Sequence, residues 1–300
     1  MAQRPLPPSP APAAAAYSNL SYFRVTTPAP FVAHVEIHRP AKLNAFVEAM
    51  WLELRRVFRQ LSGDADVRAV VLSGAGERAF TAGLDVTAAS ESGLLLSPAA
   101  GEGGGSGEDG ARRAARLRRH IAEMQECISA VERCEKPVIC VMHGISIGLA
   151  IDIAACADIR VCAKDTRFAV KEVDIGLAAD LGTLARLPKA VGSQSWVKDV
   201  CLSARDFDAA EALSVGFVSQ VHESKAAALA AAFKTASFIA SKSPVAVQGT
   251  KELLNHSRDH TVEDNLRYTG VWNAAAVQTS DVAAALTSGL ERRKPTFEKL

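Results

Sequence analysis

Two unbroken apolar runs limit what this chain can fold into. AVVLS (69–73) and VICVM (138–142) lack the in-and-out alternation of a half-exposed strand, so each suits a strand buried on both faces, and a further strand is expected at IRVC (159–162). Helical text lies between them. Residues 46–61 space Met50, Leu54, Val57, Phe58 and Leu61 as one helical face, a long helix is expected over about 113–134, and another from about Gly148 to Ala155. Strand, helix, strand, helix in this order predicts an α/β core, with helices packed on a largely parallel sheet whose ligand sites gather at the carboxyl ends of the strands.

Before this core, YFRVTTPAPFVAHVEIHRP (22–40) reads as two alternating strands parted at Pro28 and Pro30, which is a hairpin. The opening residues 1–16 are rich in Pro and Ala and lack the compact apolar segment of an export signal, so a disordered tail is expected there. Residues 89–111, with five glycines in the seven positions from Gly101, predict a flexible loop. Those glycines are no phosphate loop, because no Gly-Lys-Ser/Thr ending follows them. The α/β core is expected over 17–205, and Ala-rich helical text from 206 to 300 predicts a helical subdomain suited to oligomer contacts.

Composition excludes several classes of function. A formal charge of +1 offers no global attraction for nucleic acid, and the basic cluster at Arg112, Arg113, Arg116, Arg118 and Arg119 reads as a solvated helix face. No apolar run is long enough to span a bilayer. The six cysteines contain no C-x-x-C pair and no His at zinc spacing, so neither a metal site nor a disulfide framework is expected. His143, closing a buried strand, reads as a core hydrogen-bonder, and Ser146 has no base at a hydrolase spacing. Met50, Trp51 and Trp196 read as core or interface. The last three residues, Glu298-Lys299-Leu300, share the basic-then-Leu ending of the peroxisomal Ser-Lys-Leu address, with Glu in place of the small first residue. A peroxisomal location is therefore expected, with a mitochondrial one as the alternative.

The chemistry concentrates in residues 143–187, where acids sit inside apolar sequence. Asp152 lies between Ile151 and Ile153, and Glu172 and Asp180 bracket a mostly apolar stretch. A carboxylate buried without a partner shifts its pKa and can exchange protons near neutrality, whereas pairing with Arg160, Arg167, Lys171 or Arg186 would make it structural. Two glycine-containing turns, at 79–85 and 144–149, each follow an apolar strand, and backbone N–H groups presented by such turns can hold a developing oxyanion.

RPAKLNAF (39–46), AFTAGLD (79–85), HGISIGLAIDIAACADIRV (143–161) and TRFAVKEVDIGLAADLGTLARLP (166–188) together resemble the crotonase, or enoyl-CoA hydratase/isomerase, superfamily over nearly the whole chain from Tyr17 on. The resemblance implies a spiral of ββα units with a C-terminal helical oligomerisation region, a homotrimer or homohexamer, and an acyl-CoA thioester as substrate with no separate cofactor. It places the oxyanion donors at the N–H groups of Leu84 and Leu149, the latter where the family usually has Gly. Coenzyme A would be lined by Arg39, Lys42, Leu43 and the backbone at Ala82, with Lys251 approaching a phosphate from a neighbouring subunit.

The segment around Asp180 closely resembles the Δ3,5-Δ2,4-dienoyl-CoA isomerase branch of that family, where acids matching Asp152, Glu172 and Asp180 form the active site. The chemistry points the same way. Converting a 3,5-diene to a 2,4-diene in fatty-acid β-oxidation removes a proton from C2 and adds one at C6, which calls for two acids. Glu172 is expected at C2 and Asp180 at C6, either direction of transfer staying open, with Asp152 in support. The alternatives are an enoyl-CoA hydratase or Δ3-Δ2 enoyl-CoA isomerase using Asp152 and Glu172, and a silent CoA-ester-binding protein.

Overall fold

The computed structural model describes residues 17–91 and 109–300. The tail expected at 1–16 and most of the loop expected at 89–111 lie outside the described residues. The chain opens with the hairpin, β1 (Phe23–Ala29) and β2 (Val32–Ile37), paired antiparallel. A 3-10 turn at Pro40–Lys42 leads to α1 (Glu48–Gly63), followed by β3 (Ala69–Gly74), β4 (Ala79–Thr81), α2 (Val86–Glu91) and α3 (Gly110–Glu132). Next come β5 (Val138–Met142), β6 (Ile145–Ile147), α4 (Leu149–Cys156), β7 (Ile159–Ala163) and β8 (Arg167–Ala169). After a 3-10 turn at Glu172–Ile175 the chain continues through α5 (Thr183–Ala190), α6 (Gln194–Ser203), β9 (Phe207–Asp208), α7 (Ala209–Ser214) and β10 (Gln220–His222). Four helices complete it: α8 (Lys225–Ala240), α9 (Pro244–Ser257), α10 (Val262–Ala276) and α11 (Ser280–Leu290). Ser224, Ser243, Thr261 and Thr279 fix where these four begin, each accepting a hydrogen bond from an N–H of the first turn.

The strands form two sheets. A six-stranded sheet runs β1-β2-β3-β5-β7-β10, parallel throughout except at the hairpin, and a four-stranded sheet runs β4-β6-β8-β9. Thus β3 and β4, β5 and β6, and β7 and β8 each send one strand to the large sheet and the next to the small one before a helical segment follows, which is the expected ββα spiral. The small sheet was not legible as strands, because β4, β6 and β8 are short enough to read as turns.

The unbroken apolar runs are explained by what covers the large sheet. Val70, Leu72, Val138, Cys140 and Met142 face the main core with α1, α3 and α4, while Ala69, Val71, Ile139 and Val141 face α8. On α8 the contact residues are Ala228, Ala232, Ala236 and Ala240, a row of small side chains at four-residue spacing that lets the helix lie close to the strands. The helical region expected from 206 on is therefore not set apart at its start: β10 joins the large sheet and α8 seals its back face. Helices α10 and α11, by contrast, leave Leu266, Val271, Leu286 and Leu290 exposed. Among the described residues, no helix is long and apolar enough to cross a membrane.

Candidate active site

The site is assembled beyond the carboxyl ends of the parallel strands, and its keystone is Asn44. This fully buried residue has a left-handed backbone (φ 56°), which Asn tolerates better than most side chains. Its amide nitrogen donates to the carbonyls of Ala75 and Ala79, its amide oxygen accepts from the Arg39 N–H, and its own carbonyl accepts from the Thr81 hydroxyl. The 39–46 and 79–85 segments are thereby clamped together. Arg39 adds to the clamp, because its guanidinium binds Asp85 at 2.7 Å and the Ala45 carbonyl at 2.9 Å. Leu43, also left-handed, accepts the Ala82 N–H at 3.0 Å, and Lys42 is exposed beside them.

These constraints aim two N–H groups at one space. Phe46 and Leu84 form a bridge in which the Phe46 N–H donates to Gly83 and the Asp85 N–H to Phe46, a pattern that leaves the Leu84 N–H out. Across from it, Leu149 is the first residue of α4, so its N–H has no intrahelical partner. The unusual backbone belongs to the residue before it. Gly148 has φ 56° and ψ −117°, a region essentially closed to other residues, while Leu149 itself needs no positive φ. Leucine therefore fits without backbone strain where the family usually has glycine. A Cβ placed on Gly83 would stand 3.7 Å from the Leu149 nitrogen, which shows how close the two turns lie.

Asp152, Glu172 and Asp180 line one cavity of about 250 Å³ together with Trp51, Ala82, Leu84, Gly148 and Leu149. None of the cations that might have neutralised the acids does so. Arg186 holds Glu132 and the Ser129 hydroxyl, Arg167 holds Asp206, Lys171 holds Asp174, Asp206 and the Ala204 carbonyl, and Arg160 donates to the carbonyls of Phe217 and Ala157. Among the described residues, the three carboxylates have no ion-pair partner.

Each acid has its own setting. Asp152, 1% exposed, accepts from the N–H and hydroxyl of Thr183 at 2.6 and 2.8 Å. Its burial, reinforced by the charges of Glu172 and Asp180 and opposed by Thr183, pushes its carboxyl up to about 7. Glu172 opens the 3-10 turn, with one carboxylate oxygen buried and unbonded and the other 3.4 Å from where a Gly148 Cβ would be. Burial raises its pKa, and Asp180 adds to the rise. Asp180 is the most exposed of the three; desolvation raises its carboxyl and the nearby His120 lowers it. The Gln125 side chain holds the Asp180 carbonyl at 2.6 Å.

A second cavity of about 350 Å³ adjoins the first, sharing Trp51, Leu84, Leu177, Asp180 and Leu181. It lies between α1 and α3, walled by Phe46, Leu117, Ile121 and Met124. Trp51, expected in core or interface, is buried yet lines both cavities. His143 is a core hydrogen-bonder, its ring facing the Gly76 carbonyl at 2.9 Å and its pKa lowered to about 4 by burial.

One expected residue falls elsewhere. Lys251 is buried at the opposite end of the strands, its ammonium bonded to Asp158 at 2.7 Å and to the Lys136 carbonyl at 3.1 Å. Within its own chain Lys251 is thus held by a buried ion pair, away from the cavity of the three acids. Thr183, Gln125, His120 and Asn44 also belong to the site's construction; Asn44 and Thr183 lie inside the family-like motifs without standing out there, and Gln125 and His120 lie outside them.

The raised value of Asp152 has a consequence for stability. Between its ordinary value near pH 4 and about pH 7, the folded protein keeps a proton that the unfolded chain has released, so this group's contribution declines as pH rises through that window. Asp152→Asn keeps an acceptor for Thr183 and removes the charge. Thermal melts should therefore show the variant gaining on the wild type between about pH 5 and about pH 8; a difference in melting temperature that stays flat or narrows contradicts the burial argument.

Comparison with known proteins agrees with this geometry. A family profile described as Enoyl-CoA hydratase/isomerase matches residues 29–299. The chain is 46% identical to the mitochondrial Δ(3,5)-Δ(2,4)-dienoyl-CoA isomerase of Mus musculus, over 94% of this chain and 84% of that one. It is 39% identical to the peroxisomal enzyme of that name from Arabidopsis thaliana, over 95% and 98%. Its fold matches an enoyl-CoA hydratase structure from Bacillus anthracis with a TM-score of 0.81 at 24% identity, covering 93% of this chain and 99% of that one. The chain belongs to the enoyl-CoA hydratase/isomerase family.

Proposed function

We propose that this protein is a Δ3,5-Δ2,4-dienoyl-CoA isomerase acting in fatty-acid β-oxidation. The observation that carries the reading is three uncompensated carboxylates on one cavity, beside two backbone N–H groups that converge on it. The identity to enzymes of that name supports it. The N–H groups of Leu84 and Leu149 hold the thioester oxygen as it gains negative charge. Glu172, whose carboxylate lies against Gly148, is assigned to C2, the carbon adjoining the thioester carbonyl. It takes the C2 proton. Asp180, at the boundary with the apolar cavity, reaches farther along the acyl chain and gives its proton to C6. Asp152, with one oxygen committed to Thr183, keeps the protonation states of its neighbours apart by repulsion.

The 350 Å³ cavity between α1 and α3 receives the acyl chain beyond the diene. The backbone at Ala82 and Leu43 and the exposed Lys42 border the entrance for coenzyme A, with Arg39 acting behind them through Asp85. A hydratase would hold its water between paired glutamates; the shorter Asp152, bound to Thr183, fits that use less well.

Asp180→Asn and Glu172→Gln should each cut turnover of a 3,5-dienoyl-CoA by about 10²- to 10⁴-fold with an unchanged melting curve. Followed by the absorbance of the conjugated product, near-full turnover in either variant would sink the two-acid mechanism, and fast hydration of crotonyl-CoA by the wild type would favour a hydratase instead.

The exposed apolar residues of α10 and α11 support assembly into a homotrimer or homohexamer. Light scattering is expected to give a particle of three or six chains, and a monomer at working concentrations refutes it. The Glu298-Lys299-Leu300 ending supports a peroxisomal location, as for the Arabidopsis relative, against a mitochondrial one, as for the mouse relative. Removing those three residues from a tagged copy should disperse it from peroxisomes; an unchanged distribution rules the address out.

A further inference from the structure

Asp180 stands where three cavities meet. Besides the reaction cavity and the apolar one between α1 and α3, it lines a third of about 500 Å³, whose walls include Gln125, Glu132, Arg186, Lys189 and Arg258. Neither Asp152 nor Glu172 borders this third space. Its charges are already satisfied: Arg186 and Arg258 hold Glu132, and Lys189 holds Asp259. Apart from Asp180 itself, it is therefore a polar chamber whose charged walls are already paired. At about 30 Å³ per water, its volume and hydrogen-bonding walls suit a chain of water molecules.

An acyl chain that fills the other two cavities displaces water from Glu172 entirely and from Asp180 on two sides. The third side stays wet. We propose that the polar chamber is a proton port for Asp180, through which this carboxyl exchanges its proton with solvent while substrate is bound and Glu172 stays sealed. Gln125, by fixing the Asp180 carbonyl, holds the carboxyl at the junction as a positioning residue. The inference rests on the assignment of Asp180 to C6 made above.

The step is balanced in the reverse direction. The Asp180 carboxylate takes a proton from C6 of a 2,4-dienoyl-CoA, and the released electron pair moves through the conjugated system to the thioester oxygen. The Asp180 proton exchanges with water, and a solvent-derived proton returns to C6 as the electrons move back. Where transfer at C2 is blocked the trienolate stays bound throughout, so label at C6 reports exchange in the occupied site.

The test uses Glu172→Gln, which cannot complete transfer at C2, incubated with 2,4-octadienoyl-CoA in D2O. Mass spectrometry and NMR of the recovered thioester should show deuterium entering C6. Ala185→Trp, which fills the chamber from the α5 side, should slow C6 exchange in the wild-type background severalfold more than it slows isomerisation. Leu184→Trp on the same wall serves if the first variant does not fold. If C6 stays unlabelled while Asp180→Asn abolishes isomerisation, the same proton returns internally and the port is overturned, with the two-acid reading intact. Exchange that ignores both tryptophans likewise overturns the port. If Asp180→Asn still isomerises, the underlying assignment fails instead.

Discussion

Charge kept away from counter-charge is what the catalytic end of this molecule is organised to achieve. A carboxylate in a partly desolvated cavity captures any cation within reach, and an Arg or Lys at contact distance would pull its pKa down and silence it as a proton carrier. Here the reachable cations are held by other partners. Lys171 lies on the cavity wall, yet its ammonium turns to Asp174, Asp206 and the Ala204 carbonyl. Arg186 and Asp152 both lie beside Gly182, but Arg186 is taken by Glu132, which also holds Arg258.

The same isolation separates the acids from one another. Asp152 is the most buried and is held by Thr183, Glu172 keeps one oxygen unbonded, and Asp180 retains access to solvent. Identical functional groups thus acquire different protonation behaviour from burial, hydrogen bonding and mutual repulsion. The two N–H groups need no such tuning, since a backbone donor carries no titratable proton near neutrality. What they need is position, which Asn44, Gly83 and Gly148 supply.

Much of this was legible in the sequence, and the gaps have physical causes. Apolar runs revealed β3 and β5, because burial on both faces removes most polar residues, and alternation revealed β1 and β2, whereas β10 fell inside text that reads as helical. Helical spacing located α1, α3 and α4 within a few residues. The small sheet escaped because its strands are two or three residues long, below the length at which alternation can register. The acids stood out as charges in apolar text; Thr183, Gln125 and Asn44 did not, since a neutral polar residue looks the same in sequence whether it braces a cavity wall or a solvent-facing loop. The burial of Lys251 was hidden for a related reason. A lysine on an amphipathic helix reads as surface, and only the fold reveals that Asp158 and the Lys136 carbonyl enclose it.

The alanine row on α8 reaches beyond packing. A methyl-lined interface leaves no long side chains to cushion displacement, so helix and sheet transmit force almost as one slab. A displacement of α8 is therefore passed to β3 and β5, whose carboxyl ends lead into the two glycine-containing turns beside the cavity.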